Sequence, residues 1–112
     1  MSQNALKRLE YCKTLSSLDI SRNDSLYSLQ GILKLRSLTS LKLNLNYKLA
    51  NLDGIERLKT LRSLIINVRN SSFDITSIYN LQGLKNLTIS KDLNVNYDSL
   101  RKKNTEIKVV KE

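Results

Sequence analysis

The sequence repeats itself at a step of 23 residues, and that step constrains the fold more than any other feature. Leu18, Leu41, Leu64 and Leu87 fall in one column, and Ile20, Leu43, Ile66 and Ile89 in a second. Four further apolar columns keep the same step: Leu15, Leu38, Leu61, Leu84; Cys12, Leu35, Leu58, Leu81; Leu9, Ile32, Ile55, Ile78; and Leu6, Leu29, Leu52, Ile75. A period of this length marks an array of stacked units, because one unit of about 20–50 residues cannot bury its apolar face alone.

Each unit reads in two parts. The segment "LTSLKL", Leu38 to Leu43, ends in alternation, with Leu41 and Leu43 on one face and Lys42 on the other, as in a strand. The remainder has apolar residues at every third position, a spacing that suits turns or a 3-10 helix better than an α-helix. Stacking such units pairs the strands in parallel and merges the leucines into one core. Strand cores are expected at 18–20, 41–43, 64–66, 87–89 and 107–109, the last reached by a shortened step of 20 that sets Ile107 and Val109 where Leu87 and Ile89 would recur. The single domain of residues 1–112 then divides into an N-terminal cap arm (1–14), repeats (15–97), and a C-terminal cap with the last strand (98–112). Asn104, in place of a column leucine, and the run Arg101 to Lys103 are expected to face water, since a terminal strand must be blunted against further pairing.

These residues carry a family resemblance. "LSSLDISRN" (15–23) and "LTSLKLNLN" (38–46) resemble leucine-rich repeats, and "LQGILKLRSL" and "LDGIERLKTL" are similar to the subclass with 22-residue units found in a regulatory subunit of protein phosphatase 1 and in bacterial internalins. The resemblance covers roughly residues 5–110. It implies an α/β leucine-rich-repeat solenoid, a right-handed superhelix with a short parallel five-stranded sheet on its concave side and turn or 3-10 return arms. It also implies a ladder of side-chain amides, here Asn23 and Asn46, that pairs backbone groups where the chain leaves each strand. Asp92 stands at that position in the fourth unit and, when ionised, accepts hydrogen bonds without donating them.

In the third unit the ladder position holds Arg69. Allowing one extra residue restores the landmarks, with Asn70 in the ladder and Phe73 in the place of Leu49. Arg69 is then expected at the tip of a one-residue bulge, pointing outward, because a guanidinium inside the apolar columns would have no partner.

Composition narrows the function. The 112 residues include no histidine and no proline, and 19 basic against 10 acidic residues give a net charge of +9. Without histidine the usual general base near neutral pH is missing, as is the commonest neutral metal ligand. Cys12 lies in the column of Leu35 and is read as a small buried hydrophobe. Asp53 and Glu56 are neighbours on one arm with no second acidic pair opposite. A non-enzymatic chain with no cofactor and no metal is therefore expected. One cysteine permits no internal disulfide, and "MSQNALKRLEYCKTLSS" has no signal-peptide core, so the expected setting is cytoplasmic, with no membrane span.

What remains is binding. The outward strand positions form rows: Ser17, Ser40, Ser63, Asn86; Asp19, Lys42, Ile65, Thr88, Lys108; and Ser21, Asn44, Asn67, Ser90. Leu45, Ile65 and Val68 are read as an apolar anchor rimmed by Lys42, Asn44, Asn67 and Thr88, with Arg69 beside it, the arrangement of an interaction hot spot. The alternative is scattered exposed apolar residues without a role. Basic residues stack as well: Lys13, Arg36, Lys59; Lys34, Arg57; and Arg62, Lys85. This rim either docks an acidic partner or keeps an edge soluble. The leading expectation is a module that binds another protein, one with an acidic face. Two alternatives stay open: a salt-dependent nucleic-acid or polyanion binder, which would lack a recognisable stacking platform or reading helix, and a microbial or viral effector that inhibits a host protein.

Overall fold

The structure is a computed structural model that describes residues 8–21, 26–44, 48–68 and 72–112. Five parallel strands, β1 (Ser17–Ser21), β2 (Ser40–Asn44), β3 (Ser63–Asn67), β4 (Asn86–Ile89) and β5 (Lys108–Lys111), lie side by side in chain order. The 23-residue step is the pairing register of the first four: Leu18 lies opposite Leu41, Leu41 opposite Leu64, and Leu64 opposite Leu87. Parallel neighbours need a crossover of a dozen or more residues. The connections supply it with single 3-10 turns, at Leu9–Tyr11, Gln30–Ile32, Ile55–Arg57 and Thr76–Asn80. The architecture is thus α/β-like, a parallel sheet with little helix, and among the described residues no helix is long and apolar enough to cross a membrane.

The core lies between the sheet and these arms. Leu41, Leu64 and Leu87 from the strands meet Ile32, Ile55 and Ile78 from the arms, all fully buried. Each such side chain contributes about 1.5–3 kcal/mol by leaving water, so four or more per unit hold the stack together. Gly54 shapes one arm. Its φ of 88° is left-handed, and a Cβ there would lie 2.6 Å from Leu33 Cδ1.

The first described unit has a described neighbour on one side only, and its columns are less covered. Leu9, Leu15 and Leu18 are partly buried, and Cys12 is exposed rather than in the core. Its short side chain does not reach beneath Leu35 as a leucine would, while its backbone closes the arm through Cys12 N–H to Leu9 O at 2.8 Å.

The last unit departs furthest from expectation. A short helix, α1 (Tyr97–Lys103), forms the final arm, capped by Asn96, whose side chain accepts from Ser99 N–H at 3.0 Å. Arg101, Lys102 and Lys103 occupy its last turn, where cations oppose the negative end of the helix dipole. Ile107 does not stand where Leu87 recurs. It follows Leu84 by 23 residues and is buried in that column, so β5 begins at Lys108 and sets Val109 opposite Leu87 and Val110 opposite Thr88.

Asn104 is likewise inside, only 3% exposed. In the second and third arms the column leucine and the next leucine bond directly, Leu38 N–H to Leu35 O and Leu61 N–H to Leu58 O. In the fourth, Gly83 with φ of 82° opens that turn. The Asn104 amide fills the gap, accepting from Leu84 N–H at 2.7 Å and donating to Leu81 O at 2.8 Å. A polar side chain takes a leucine's column because it carries both ends of an interrupted backbone bond.

Candidate interaction surface

Alternation along β1–β5 turns one side chain in two away from the core and builds a sheet face of three rows. The central row reads Asp19, Lys42, Ile65, Thr88 and Val110 in register. The expected fifth member, Lys108, instead lies opposite Asn86 in the row of Ser17, Ser40 and Ser63. Val110 was hidden from the sequence by the assumed step of 20, and it is half exposed, at 50%. Ile65, Lys42 and Thr88 are partly covered by their neighbours.

The third row differs from its expectation at β4. Ser90 is buried, accepting from Val68 N–H at 2.8 Å and donating to Ile66 O at 3.3 Å. Its hydroxyl continues the ladder where the strand's own backbone pairing ends. Asn67 is exposed, and Asn44 is half-buried with its Oδ1 unpartnered. Ser21 at the β1 end donates its hydroxyl to the Asp19 carboxylate.

The anchor of Leu45, Ile65 and Val68 is not brought together. Val68 is 2% exposed, because the period of two continues past β3 and sets it on the core side with Leu64 and Ile66. Leu45 and the Arg69 bulge lie outside the described residues, as do Asn23, Asn46 and Asn70 of the ladder. Asp92 is exposed; the core at that turn is filled by Leu93, whose N–H bonds Ser90 O at 3.1 Å.

The basic rim is gathered on the turns that lead into the strands. Successive lead-in residues are hydrogen-bonded across the stack, Arg62 N–H to Thr39 O, Lys85 N–H to Arg62 O and Lys108 N–H to Lys85 O, at 2.8–2.9 Å. Thr60 Oγ1 reaches the carbonyls of Arg36 and Leu38, at 3.0 and 2.7 Å, and so fixes the Lys59 turn on the Arg36 turn. Lys13, Lys34, Arg36, Arg57, Lys59, Arg62 and Lys85 are all exposed. Arg62 folds back, its Nη1 donating to Lys59 O and Leu61 O. Lys85 lies 3.6 Å from Glu106, an exposed pair of little energetic weight.

The opposite edge carries carboxylates. Asp74 accepts from Thr76 N–H at 2.9 Å and from Thr76 Oγ1 at 2.7 Å. The backbone bond first, and the hydroxyl second, hold its carboxyl below the ordinary 3.8. Among the described residues no three His, Cys, Asp or Glu side chains are grouped as a metal ion would require. No family model matches the chain, and no curated protein matches it.

Proposed function

We propose that the chain is a short leucine-rich-repeat solenoid, a right-handed superhelix with its strand face concave, and that it is a non-enzymatic module binding another protein with that face. The observation that carries the reading is the central row over β3–β5, Ile65, Thr88 and Val110 in register, with Val110 half exposed. Together they offer a stripe of β-branched side chains on a sheet of otherwise polar outward positions. Lys42 flanks the stripe on β2, and Asn44 and Asn67 lie beside it in one row, the first with an unpartnered acceptor. An apolar centre with a polar surround is how interface energy is commonly concentrated. The strands are fixed by their ladders and core, so binding forfeits less conformational entropy than at a loop-built site. With a net charge of +9, the expected partner has an acidic face.

The test is site-specific photo-crosslinking in lysate of the source cell, with benzoylphenylalanine replacing Thr88 in one protein and the exposed arm residue Gln30 in another. A discrete adduct is expected from position 88, abolished by Ile65→Glu, and none from position 30. Adducts of equal yield from both positions would refute the strand-face assignment.

A further inference from the structure

The charge of this chain is concentrated on one rim. The lead-in turns, residues 11–16, 34–39, 57–62, 80–85 and 103–108, hold nine cationic residues, Lys103 and Lys108 joining the seven named above, against the single carboxylate of Glu106. That is a net +8 of the chain's +9, and all nine cations are exposed. The strand-exit edge, by contrast, presents Asp53, Asp74 and Asp92.

We propose that this rim docks the phosphodiester backbone of a single-stranded nucleic acid, with Tyr11 as a base-stacking ring at its β1 end. The surface lies apart from the strand face, and the inference stands or falls independently of the protein-binding reading.

The arrangement of the cations favours a linear polyanion over a local carboxylate patch. At least one cation recurs on every turn, and neighbouring strands lie about 4.8 Å apart. Five turns then make a basic row about 19 Å long, by four such intervals. Arg36, Arg57 and Arg62 occupy its middle, and a guanidinium fork matches phosphate geometry. Arg62 is already ordered by its two carbonyl bonds, 3.3 and 3.1 Å long, so its fixation on binding forfeits little rotamer freedom. Tyr11, 23 residues before Lys34 and 46 before Arg57, shares their outward column and is 78% exposed, the most exposed large apolar side chain among the described residues. Sequence spacing alone offers no stacking platform; the exposure of this ring at the end of a basic row supplies one. A duplex is disfavoured, since α1 has seven residues and forms the final arm.

The test is fluorescence anisotropy with labelled oligodeoxythymidine and oligouridine, two sources of one backbone, between roughly 50 and 200 mM salt. One phosphate per turn predicts a slope of log K against log salt of about −3.5, at about −0.7 per phosphate. Arg36→Glu with Lys59→Glu is expected to weaken binding at least about tenfold and flatten the slope. The charge-matched pair Lys48→Glu and Lys91→Glu, on the opposite edge, is expected to change it less than about threefold. Tyr11→Ala is expected to weaken binding roughly tenfold and Tyr11→Phe to preserve it. Equal affinity for the two oligonucleotides assigns the contact to the shared backbone; tighter uridine binding assigns the ribose hydroxyl a part, with the rim still required. The proposal is overturned by no binding at the lowest salt, by equal losses from both charge pairs, by an unaffected Tyr11→Ala, or by polyglutamate competing as well as the oligonucleotides. Thermal melts of each variant verify that the fold is intact.

Discussion

Replacing Asn104 with leucine sets two ways of reasoning about this chain against each other. By column, residue 104 follows Leu35, Leu58 and Leu81, and leucine is the residue that the repeat asks for. By structure, leucine removes the amide that joins Leu84 N–H to Leu81 O and strands both in the core. A buried unpaired backbone group costs about 1–3 kcal/mol, so two cost about 2–6. The added apolar side chain returns about 1.5–3 kcal/mol. The net expectation is a loss of about 2 kcal/mol, or roughly 8–16 °C in melting temperature at about 4–8 °C per kcal/mol for a domain near this size. Alanine, which also leaves a cavity, is expected to lose more. Urea and thermal unfolding followed by circular dichroism measure both variants. An Asn104→Leu protein as stable as the parent, or more so, would refute the bridging role.

Three further expectations follow from local geometry. Gly54→Ala is expected to cost about 2 kcal/mol or more in urea unfolding, since left-handed backbone costs about 1–2 kcal/mol without glycine and the new Cβ meets Leu33 Cδ1. Ser90→Ala is expected to cost about 1–3 kcal/mol, because Val68 N–H loses its acceptor, while Ile66 O keeps the Ser90 N–H bond at 3.0 Å. Asp74, titrated by carboxyl NMR, is expected to have its midpoint below 3.8. A folded value lowered in this way stabilises the native state at neutral pH, a contribution lost as pH falls through that midpoint. Thr76→Val is expected to raise the midpoint only part of the way, since the backbone bond, the larger cause, stays.

The interior of this fold was legible because it is periodic. Leu41, Leu64 and Leu87 declare their register by spacing alone, and the strands pair on it. The departures come where a column says which way a side chain points but not what it meets. Cys12 points as its column directs, yet a thiol on a unit covered from one described side remains exposed. Asn104 looked like a polar interruption because the bond it replaces is a tertiary fact. The glycine at 83, which opens the turn, is the signal that would have found it. The shift of the last strand has the same origin. Ile107 continues the column of Leu84, and keeping the step of 23 for one more residue would have exposed Val110 on the strand face. Val68 was misplaced for a simpler reason, since alternation was not carried one residue beyond the strand. The rim was visible as columns of lysine and arginine. Its concentration of nearly all the net charge, with Tyr11 in line, emerges only when the turns are stacked.

The division of this surface into a protein-binding strand face and a basic rim is tested most directly by quantitative affinity capture. Wild type, Ile65→Glu and the Arg36→Glu, Lys59→Glu pair are immobilised in parallel, exposed to nuclease-treated lysate of the source cell, and washed at low and high salt. A protein retained by wild type and by the rim variant at both salts, and lost with Ile65→Glu, is the predicted result. The same protein retained equally by wild type and Ile65→Glu, but lost with the rim variant or with salt, would contradict it.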